Sequence, residues 1–558
     1  MRKFVLHIVC LLILSLPGFS QSGIVNEIEL TDVKRIAQLS DTVVPENASF
    51  FIRSFGHYQS FQIINQKKSK WPQFKFLHAT FSSQQNSKLS FGDNDGSMYP
   101  NVGLQHRASI GFGINWGKLA IQLSPEFVSA ANKTPQPFLA GSYTGNYWPR
   151  YYPSIVNKVD MLSRFGKEPL KKFFYGQSSV RWNMKNLSVG VSNENLWWGP
   201  GLRNSLVMTN NAPGFLHVSL NTIKPIKTSV GSFETQIIVG KLDSAGFENP
   251  DNEIMNTIWS NGIAKKQTYD RMINGVVFTW QPIWLKNFYV GFANTLQWYV
   301  NDSLSLGKYI SVIAPFSLKK EKLHVKIGSV FLRYALPNDN AEFYFEFGRA
   351  DKAANLFNLF ADTIPIGYVA GIRKLFPLVK KNQFIQFLVE VTQLQLSDSR
   401  LIIDENNIWG GWGSGRNKSW YTDSYIQQGH ANAGQLMGAA IGPGSNSQTV
   451  NISWVNKFKK IGLQFERIIR NQDFYYYTYF NGQLYNTMSQ GANNRHWVDV
   501  ALNAHVQWDY KNILFSASYN TIKSLNYRWV KLDGGWQEPS PLSDRKNQSL
   551  AFSIRYGL

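Results

Sequence analysis

The chain has 558 residues and a formal net charge of +21 at pH 7, and 15% of its residues are aromatic. A soluble protein of this length would need about three or four separately folded domains. The only cysteine, Cys10, lies within the first 20 residues. A mature chain without them would therefore hold no disulfide, no thiolate metal site and no cysteine nucleophile.

The first 20 residues have the pattern of a secretory signal peptide. Arg2 and Lys3 form a basic start, residues 4–16 are apolar, and small residues precede Gln21. Its removal would lower the formal net charge from +21 to +19. We expect such an exported chain to meet anionic glycans, lipopolysaccharide or a membrane surface, and not nucleic acid.

Residues 21–100 do not show the pattern of the rest of the chain, and we predict a periplasmic or plug segment here. Within it, Val33, Ile36 and Ala37 recur at helical spacing behind Thr31, a candidate N-cap. A short helix is therefore predicted over residues 31–39.

From residue 101 onward, apolar and polar residues alternate along successive segments. In the last one, Leu550, Phe552 and Ile554 alternate with Ala551 and Ser553. This period, kept over about ten residues, gives one face for lipid and one for water. No apolar run after residue 20 approaches the about 18 residues of a transmembrane helix. The remaining membrane architecture is a closed β-barrel, and the chain length disfavours a soluble β-sandwich.

About eighteen candidate strands can be counted. They start near residues 107, 118, 172, 185, 215, 234, 272, 288, 310, 323, 342, 366, 384, 449, 460, 497, 511 and 549. Short connectors such as 185–186 and 511–512 suit the periplasmic end. The prediction is an all-β, antiparallel transmembrane barrel over residues 101–558, in the outer membrane of a Gram-negative bacterium.

Four longer stretches suit the outer face of this barrel, where functional loops concentrate. They are residues 129–165, 243–268, 397–447 and 522–546. Aromatic residues at strand ends match an interfacial girdle. They include Trp280, Trp298, Trp497 and Trp508.

The sequence shows no catalytic or metal-binding constellation. It lacks H-E-x-x-H, G-x-S-x-G and the phosphate-binding G-x-x-x-x-G-K-[ST] pattern. Asp93 and Asp95 are better explained as an Asp/Asn/Gly turn than as a cation loop, because no bidentate Glu follows. Glu342 and Glu346 are better explained as structural lumen residues than as a glycosidase pair. We therefore predict no enzyme activity, metal or cofactor.

The stretch NENLWWGPGLRNSLVMTNNAPGF, residues 193–215, allows two interpretations. Aromatic faces stack on sugar rings while amides and cations bind hydroxyl groups. The candidate polysaccharide-binding residues are Asn195, Trp197, Trp198, Arg203, Asn210 and Asn211. Alternatively, the two tryptophans are buried and Gly199-Pro200-Gly201 closes a structural turn. From the residues alone, the buried turn is slightly favoured.

This stretch also carries a resemblance to a known family. Residues 194–222 closely resemble the signature segment of the Wzi family of capsule-assembly outer-membrane proteins, in the forms found in Bacteroidetes-type bacteria. The motifs NDGSMYPNVGLQ (residues 94–105), YIQQGHANAG (residues 425–434) and IGPGSNS (residues 441–447) agree with it. One departure is Pro213-Gly214, where many members have a basic residue.

The resemblance implies an 18-stranded barrel with a helical element at its periplasmic mouth. It further implies a non-enzymatic lectin that retains or organises capsular polysaccharide. We expect an acidic surface polysaccharide as the partner, beside lipopolysaccharide and other outer-membrane proteins. Two alternatives remain open: a structural subunit of a gliding, secretion or barrel-assembly complex, and a sugar-selective porin.

Overall fold

The computed structural model describes residues 27–40, 48–54, 71–135, 156–250, 266, 269–302, 325–350, 365–380, 382–396, 419–473, 496–529 and 544–557. The signal peptide and the candidate strand near residue 310 lie outside these ranges. In the described part of the chain, no helix is both long enough and apolar enough to span a membrane.

The chain forms one helix of 13 residues and 25 strand segments in these ranges. The helix is α1 (Glu27–Leu39), and the first ten strands are β1 (Ile52–Ser54), β2 (Gln73–Phe91), β3 (Asn101–Trp116), β4 (Leu119–Leu123), β5 (Glu126–Ala130), β6 (Leu170–Phe174), β7 (Ser179–Asn183), β8 (Leu187–Ser192), β9 (Leu196–Trp198) and β10 (His217–Thr222). The others are β11 (Ile226–Thr228), β12 (Gly231–Leu242), β13 (Arg271–Pro282), β14 (Phe288–Tyr299), β15 (Val325–Leu336), β16 (Ala341–Ala350), β17 (Ile366–Pro377), β18 (Phe384–Gln393), β19 (Ala431–Asn432), β20 (Gln435–Leu436), β21 (Asn446–Asn456), β22 (Lys459–Ile469), β23 (Val498–Tyr510), β24 (Ile513–Leu525) and β25 (Arg545–Tyr556).

These segments build a closed antiparallel barrel of 18 strands, which confirms the predicted fold. Three wall positions consist of two consecutive short segments each: β4 with β5, β6 with β7, and β10 with β11. The wall closes where β2 pairs with β25, with Ala79 opposite Tyr556. Strands β14 and β15 pair directly with each other.

The two ends of the barrel differ. One end holds short turns such as 457–458 and 511–512, and the other holds the long connections. Outer-membrane barrels place short turns in the periplasm and long loops outside. We call these the short-turn end and the outer end.

The alternation of side chains agrees with the sequence pattern. In β16, Glu342, Tyr344 and Glu346 are buried inside the barrel, while Phe343 and Phe345 are 40% and 38% exposed on its outer surface. This outer surface is the apolar face that a barrel presents to lipid.

The N-terminal boundary of the barrel was predicted wrongly. The wall begins at Gln73 and not near residue 101, because β2 is a full wall strand between β3 and β25. Its pairing with β3 shifts register between Phe76 and His78. This irregularity moves the outward apolar positions from even to odd numbers, which interrupts the period-two pattern.

Helix α1 also differs from the prediction in its start. It begins at Glu27, so Thr31 lies inside the helix and is buried rather than capping it. The helix lies inside the barrel, where Ile36 and Leu39 pack against Ala335 and Leu375 of the wall. Its contact with the turn after β15 places it at the short-turn end.

One of the four predicted girdle tryptophans, Trp497, lies inside the barrel mouth. Trp508 is 41% exposed on the outer surface and Trp280 is half-exposed there. Trp298 also faces outward, between the inward-facing Gln297 and Tyr299, and is buried there against Val276 and Leu296. Trp497 is half-buried and lines a cavity at the outer end, because it lies on the same inward side as Asp499, which accepts its indole N–H.

Candidate functional site

A buried turn in the middle of the barrel holds the two adjacent tryptophans. They belong to β9, which pairs antiparallel with β1, so that Trp197 lies opposite Arg53 and Trp198 opposite Ile52. Both rings are at most 1% exposed. The Trp198 indole N–H donates to Gln236 Oε1 of the wall (2.8 Å), and the Arg53 guanidinium lies 5.0 Å from the Trp197 ring centre.

Arginines from the N-terminal segment bind the carbonyl groups of the following Gly-Pro-Gly. Arg53 donates to the carbonyl oxygens of Gly199 (3.0 Å) and Gly201 (2.7 Å), and Arg35 of α1 donates to that of Pro200 (2.7 Å). Gly199 has a φ of +130°, and a Cβ there would overlap Ser205 Oγ. The glycine is therefore required at this position.

Carboxylates of the barrel wall bind the N–H groups that come next. Glu390 accepts from the backbone N–H groups of Leu202 (2.7 Å), Arg203 (3.0 Å) and Asn204 (2.7 Å), and from the Tyr344 hydroxyl (2.6 Å). The turn thus joins the N-terminal segment to the wall through charge-assisted hydrogen bonds, which are stronger than neutral ones.

The three asparagines of the candidate sugar-binding set make internal contacts. The Asn195 amide donates to the Ala212 carbonyl (2.7 Å), that of Asn210 to the Asn94 carbonyl (2.8 Å), and that of Asn211 to the Leu436 carbonyl (2.9 Å). With both tryptophans buried, this is the placement expected of the structural-turn alternative. A direct contact of these residues with sugar stays a prediction.

Arg203 is the one member of the set with a partly exposed side chain, at 24%. It bridges Asp93 and Glu466, with 2.9 Å to the Glu466 carboxylate. Burial raises the pKa of Asp93 to about 6, against the opposing effect of Arg203. Asp95 accepts the Asp93 backbone N–H (3.1 Å), so the two aspartates form the turn favoured by the sequence.

This ion triad separates two cavities. Asp93, Glu466 and Phe91 line both of them. The lumenal cavity, of about 310 Å³, follows the wall from the triad to Lys460 and is lined mainly by neutral polar groups. Its amide side chains are Gln84, Asn451, Gln464, Asn503 and Asn520.

The outer cavity, of about 210 Å³, lies at the outer end between the ends of β2, β22, β23 and β24. Its wall includes Trp497 and Tyr527, whose rings meet edge to face at 5.1 Å. Met161, 44% exposed, also lines it, so the cavity reaches the molecular surface. We call Trp497 and Tyr527 the outer aromatic pair.

Polar side chains beside the outer aromatic pair are fixed by one another. Arg470 binds Asp499 (2.8 Å) and donates to the Ile441 carbonyl (3.0 Å). Asp499 also accepts the Trp497 indole N–H (2.9 Å). A flat aromatic surface beside a fixed cation and carboxylate can stack on a sugar ring and hydrogen-bond its hydroxyl groups.

The long stretch 397–447 was predicted as an outer loop, and its described part, residues 419–445, is largely buried. Tyr421 donates its hydroxyl to the Leu206 carbonyl (2.8 Å), and His430 stacks on Tyr421 and contacts the Val207 carbonyl (2.7 Å). Burial lowers the pKa of His430 to about 4, so the ring is neutral at pH 7. This segment packs against residues 206–208 and supports the buried turn from the outer side.

Sequence reasoning missed the outer aromatic pair as a site because Trp497 fits a girdle position equally well. The order of strands in the sequence could still have indicated that Arg470 and Trp497 lie close together. Arg470 follows β22 and Trp497 precedes β23, and a hairpin brings the open ends of paired strands together.

Comparison with known protein families identifies the family to which the sequence is similar. The sequence profile described as "Capsule assembly protein Wzi" matches residues 84–518. No curated protein sequence matches the chain significantly.

Among solved structures, the chain resembles Wzi of Escherichia coli, described as an outer-membrane protein involved in group 1 capsule assembly and a carbohydrate-binding β-barrel. Identity is 12%, the TM-score is 0.57, and the match covers 96% of this chain and 100% of that one. A BenF-like porin of Pseudomonas fluorescens Pf-5 matches at 8% identity over 87% of this chain and 99% of that one, with a TM-score of 0.40. OprD of Pseudomonas aeruginosa matches at 7% identity over 86% and 93%, with a TM-score of 0.38.

The closed barrel with an apolar outer surface is an outer-membrane protein of the Gram-negative type. The family profile spans residues 84–518 of the 558. It includes the buried Trp turn, the triad and Trp497, whereas Tyr527 of the outer cavity lies beyond it. The chain belongs to the capsule assembly protein Wzi family.

Proposed function

We propose that this protein binds surface polysaccharide at its outer cavity, without catalysis, and so tethers capsule to the cell. Membership of a capsule-assembly family supports this function, and the Wzi structure of Escherichia coli is that of a carbohydrate-binding barrel. The observation in this chain that carries the proposal is the outer aromatic pair beside Arg470 and Asp499, facing a cavity at the outer end.

The charge of the chain favours an acidic glycan. The formal net charge is +21, or +19 without the first 20 residues, and the outer cavity includes Arg470 and Arg528. Exposed charge attracts a polyanion over about 10 Å at 0.1 M salt. The affinity should therefore fall as salt rises.

The carboxylates of the outer cavity are engaged by arginines. Asp93 and Glu466 share Arg203, and Asp499 binds Arg470. A glycosidase needs one carboxylic acid and one carboxylate free on opposite sides of the scissile bond. The ion pairs occupy the oxygens that would act, which supports binding without hydrolysis.

The contents of the lumen favour a binding protein over the sugar-selective porin. Helix α1, β1 and residues 193–216 and 419–445 lie inside the barrel, where they contact one another and the wall. We propose that α1 blocks passage at the short-turn end. Reconstituted protein should then show negligible conductance in a planar bilayer, whereas large steady openings would favour the porin.

The test combines cells with purified protein. Deletion of the gene should shift surface polysaccharide from cells to medium, and Trp497→Ala on a plasmid should restore retention less than the wild-type gene does. Purified wild-type protein should bind hot-water-extracted surface polysaccharide of the producing cells and release no new reducing ends. Unchanged retention together with no binding would refute the function. Stoichiometric protein partners without bound glycan would instead support a structural subunit.

A further inference from the structure

Exposed lysines recur in the turns at the short-turn end. Six of these turn positions, from six different places around the barrel, hold a lysine on the surface. They are Lys118, Lys185, Lys286, Lys380, Lys457 and Lys511, which we call the lysine ring.

No described salt bridge neutralises the lysine ring. None of the six lysines forms a salt bridge with another described residue. Among the described residues of the short turns, Asp339 is the one carboxylate. The described short turns thus carry six lysines against one carboxylate, and external anions would relieve the repulsion among the like charges.

Aromatic side chains lie directly beside the lysine ring. Trp116, Trp182 and Trp284 are 58%, 50% and 64% exposed and lie within three residues of a ring lysine. The Lys511 ammonium lies 5.4 Å from the Tyr510 ring centre, on the same rim of the barrel. Tryptophan and tyrosine mark the headgroup level of a membrane, so the ring lies where phosphate groups of the surrounding leaflet lie.

We propose that the lysine ring binds anionic phospholipid headgroups in the periplasmic leaflet around the barrel. Short turns face the periplasm, so the lipids in reach are those of the inner leaflet and not lipopolysaccharide. Each ammonium donates up to three hydrogen bonds to phosphate oxygens, while the neighbouring indole packs on the acyl chain. The ring anchors the barrel at a fixed depth and gives it a shell of acidic lipid. This proposal is independent of glycan binding at the outer end.

The test measures which lipids surround the protein. Wild-type protein is reconstituted in vesicles of phosphatidylethanolamine with either dibrominated phosphatidylglycerol or dibrominated phosphatidylcholine, and quenching of tryptophan fluorescence gives the relative binding constant. The girdle tryptophans report quenching directly. One lysine near the headgroups should favour the acidic lipid about fivefold at low salt. Half-molar sodium chloride should remove most of this preference.

A matched pair of variants locates the effect. The variant Lys118→Gln, Lys286→Gln, Lys457→Gln, Lys511→Gln should lose most of the preference. The control variant replaces four exposed lysines of the outer end by glutamine and should keep it; these are Lys88, Lys133, Lys171 and Lys546. Heat-modifiable electrophoresis shows that each variant is folded.

Several results would overturn the proposal. They are equal quenching by the two lipids in the wild type, a preference that salt does not change, or a preference that the ring variant keeps. Binding of wild-type protein, but not of the ring variant, to purified peptidoglycan without any lipid preference would assign the ring to that polymer instead. The salt titration needs no variant, so the test does not depend on folding of the mutant proteins.

Discussion

Two aromatic pairs of the same chain have opposite surroundings. Trp197 and Trp198 are at most 1% exposed and belong to a turn whose carbonyl and N–H groups are bound by arginines and wall carboxylates. In the outer aromatic pair, Trp497 is half-buried and faces a cavity that reaches the surface. The first pair holds the lumenal segments together. In the second, Tyr527 is buried at 7% exposure and supports Trp497, whose ring is the one accessible from the cavity.

The difference shows that residue type alone does not mark a binding site. Both pairs combine aromatic rings with arginine and carboxylate. In the buried turn these groups make their hydrogen bonds within the protein, where they join β1, β9 and the wall. At the outer end the Arg470–Asp499 pair fixes one side of Trp497 and leaves a cavity on the other. Substitutions in the two places should therefore change different properties.

The largest expected effect is on stability. Trp198→Ala would leave a large void against Gly275 and lose the hydrogen bond to Gln236, at a cost of about 3–5 kcal/mol in the free energy of unfolding. Urea unfolding in detergent, followed by tryptophan fluorescence, measures it. Trp497→Ala should cost less than about 1.5 kcal/mol, since its ring is only half-buried. If the two variants lost equal amounts of unfolding free energy, Trp198 and Trp497 would not differ in their contribution to stability.

The second largest expected effect is the loss of stability on removal of Glu390, the wall carboxylate that binds the buried turn. Glu390→Ala leaves three backbone N–H groups and the Tyr344 hydroxyl without their acceptor, which should cost about 2–4 kcal/mol in the same assay. Glu390→Gln keeps one acceptor oxygen, so its loss should be smaller. If Glu390→Ala left the free energy of unfolding unchanged, the turn would not depend on the wall for its stability.

A charge change at the outer cavity should act on binding. Arg470→Gln removes a cation and the partner of Asp499, so affinity for the extracted acidic polysaccharide should fall about fivefold at low salt. Stability should also fall, because the buried Asp499 loses its cation. The matched control is Lys241→Gln, which breaks a salt bridge with Asp270 away from the cavity. If both variants bind alike, general surface charge explains the attraction and the cavity does not.

The smallest effect is the pH dependence. Burial raises the pKa of Asp93 to about 6 from the unfolded value of 3.8, so folding favours its protonated form. Its contribution to stability is full below pH 3.8 and is lost as pH rises through about 6. Protonation also makes the cavity wall one charge more positive, so acidic polysaccharide should bind about twofold tighter at pH 5 than at pH 7.5. In Asp93→Asn, the affinity for polysaccharide should be the same at pH 5 and pH 7.5. If the twofold difference in affinity persisted in that variant, Asp93 would not be its source.

The barrel could be predicted from the sequence because alternation is a local pattern. Phe343 and Phe345 point to lipid and Glu342 and Glu346 to the lumen, as their spacing requires. Strand β2 was missed because its register shift near Phe76 interrupts that period. The helix start was also wrong, since Thr31 suits a cap yet lies within α1.

The site could be predicted only in part. The residues favoured a structural turn at Trp197 and Trp198, but no local pattern shows that Arg53 pairs opposite Trp197, 144 positions later in the chain. The outer cavity is built from the ends of three consecutive strands, β22 to β24, and of β2, which lies more than 300 residues earlier in the chain. Such a site depends on barrel closure, which composition and periodicity do not specify.

One measurement tests the central claim most directly. Calorimetric titration of the extracted surface polysaccharide into two folded variants, Trp197→Phe and Trp497→Ala, compares the two aromatic pairs within one protein. We expect wild-type affinity for Trp197→Phe, whose ring stays buried, and about tenfold weaker binding for Trp497→Ala, the loss typical of a stacking aromatic. Full affinity in Trp497→Ala, with a loss in Trp197→Phe, would contradict the account and place the glycan at the buried turn.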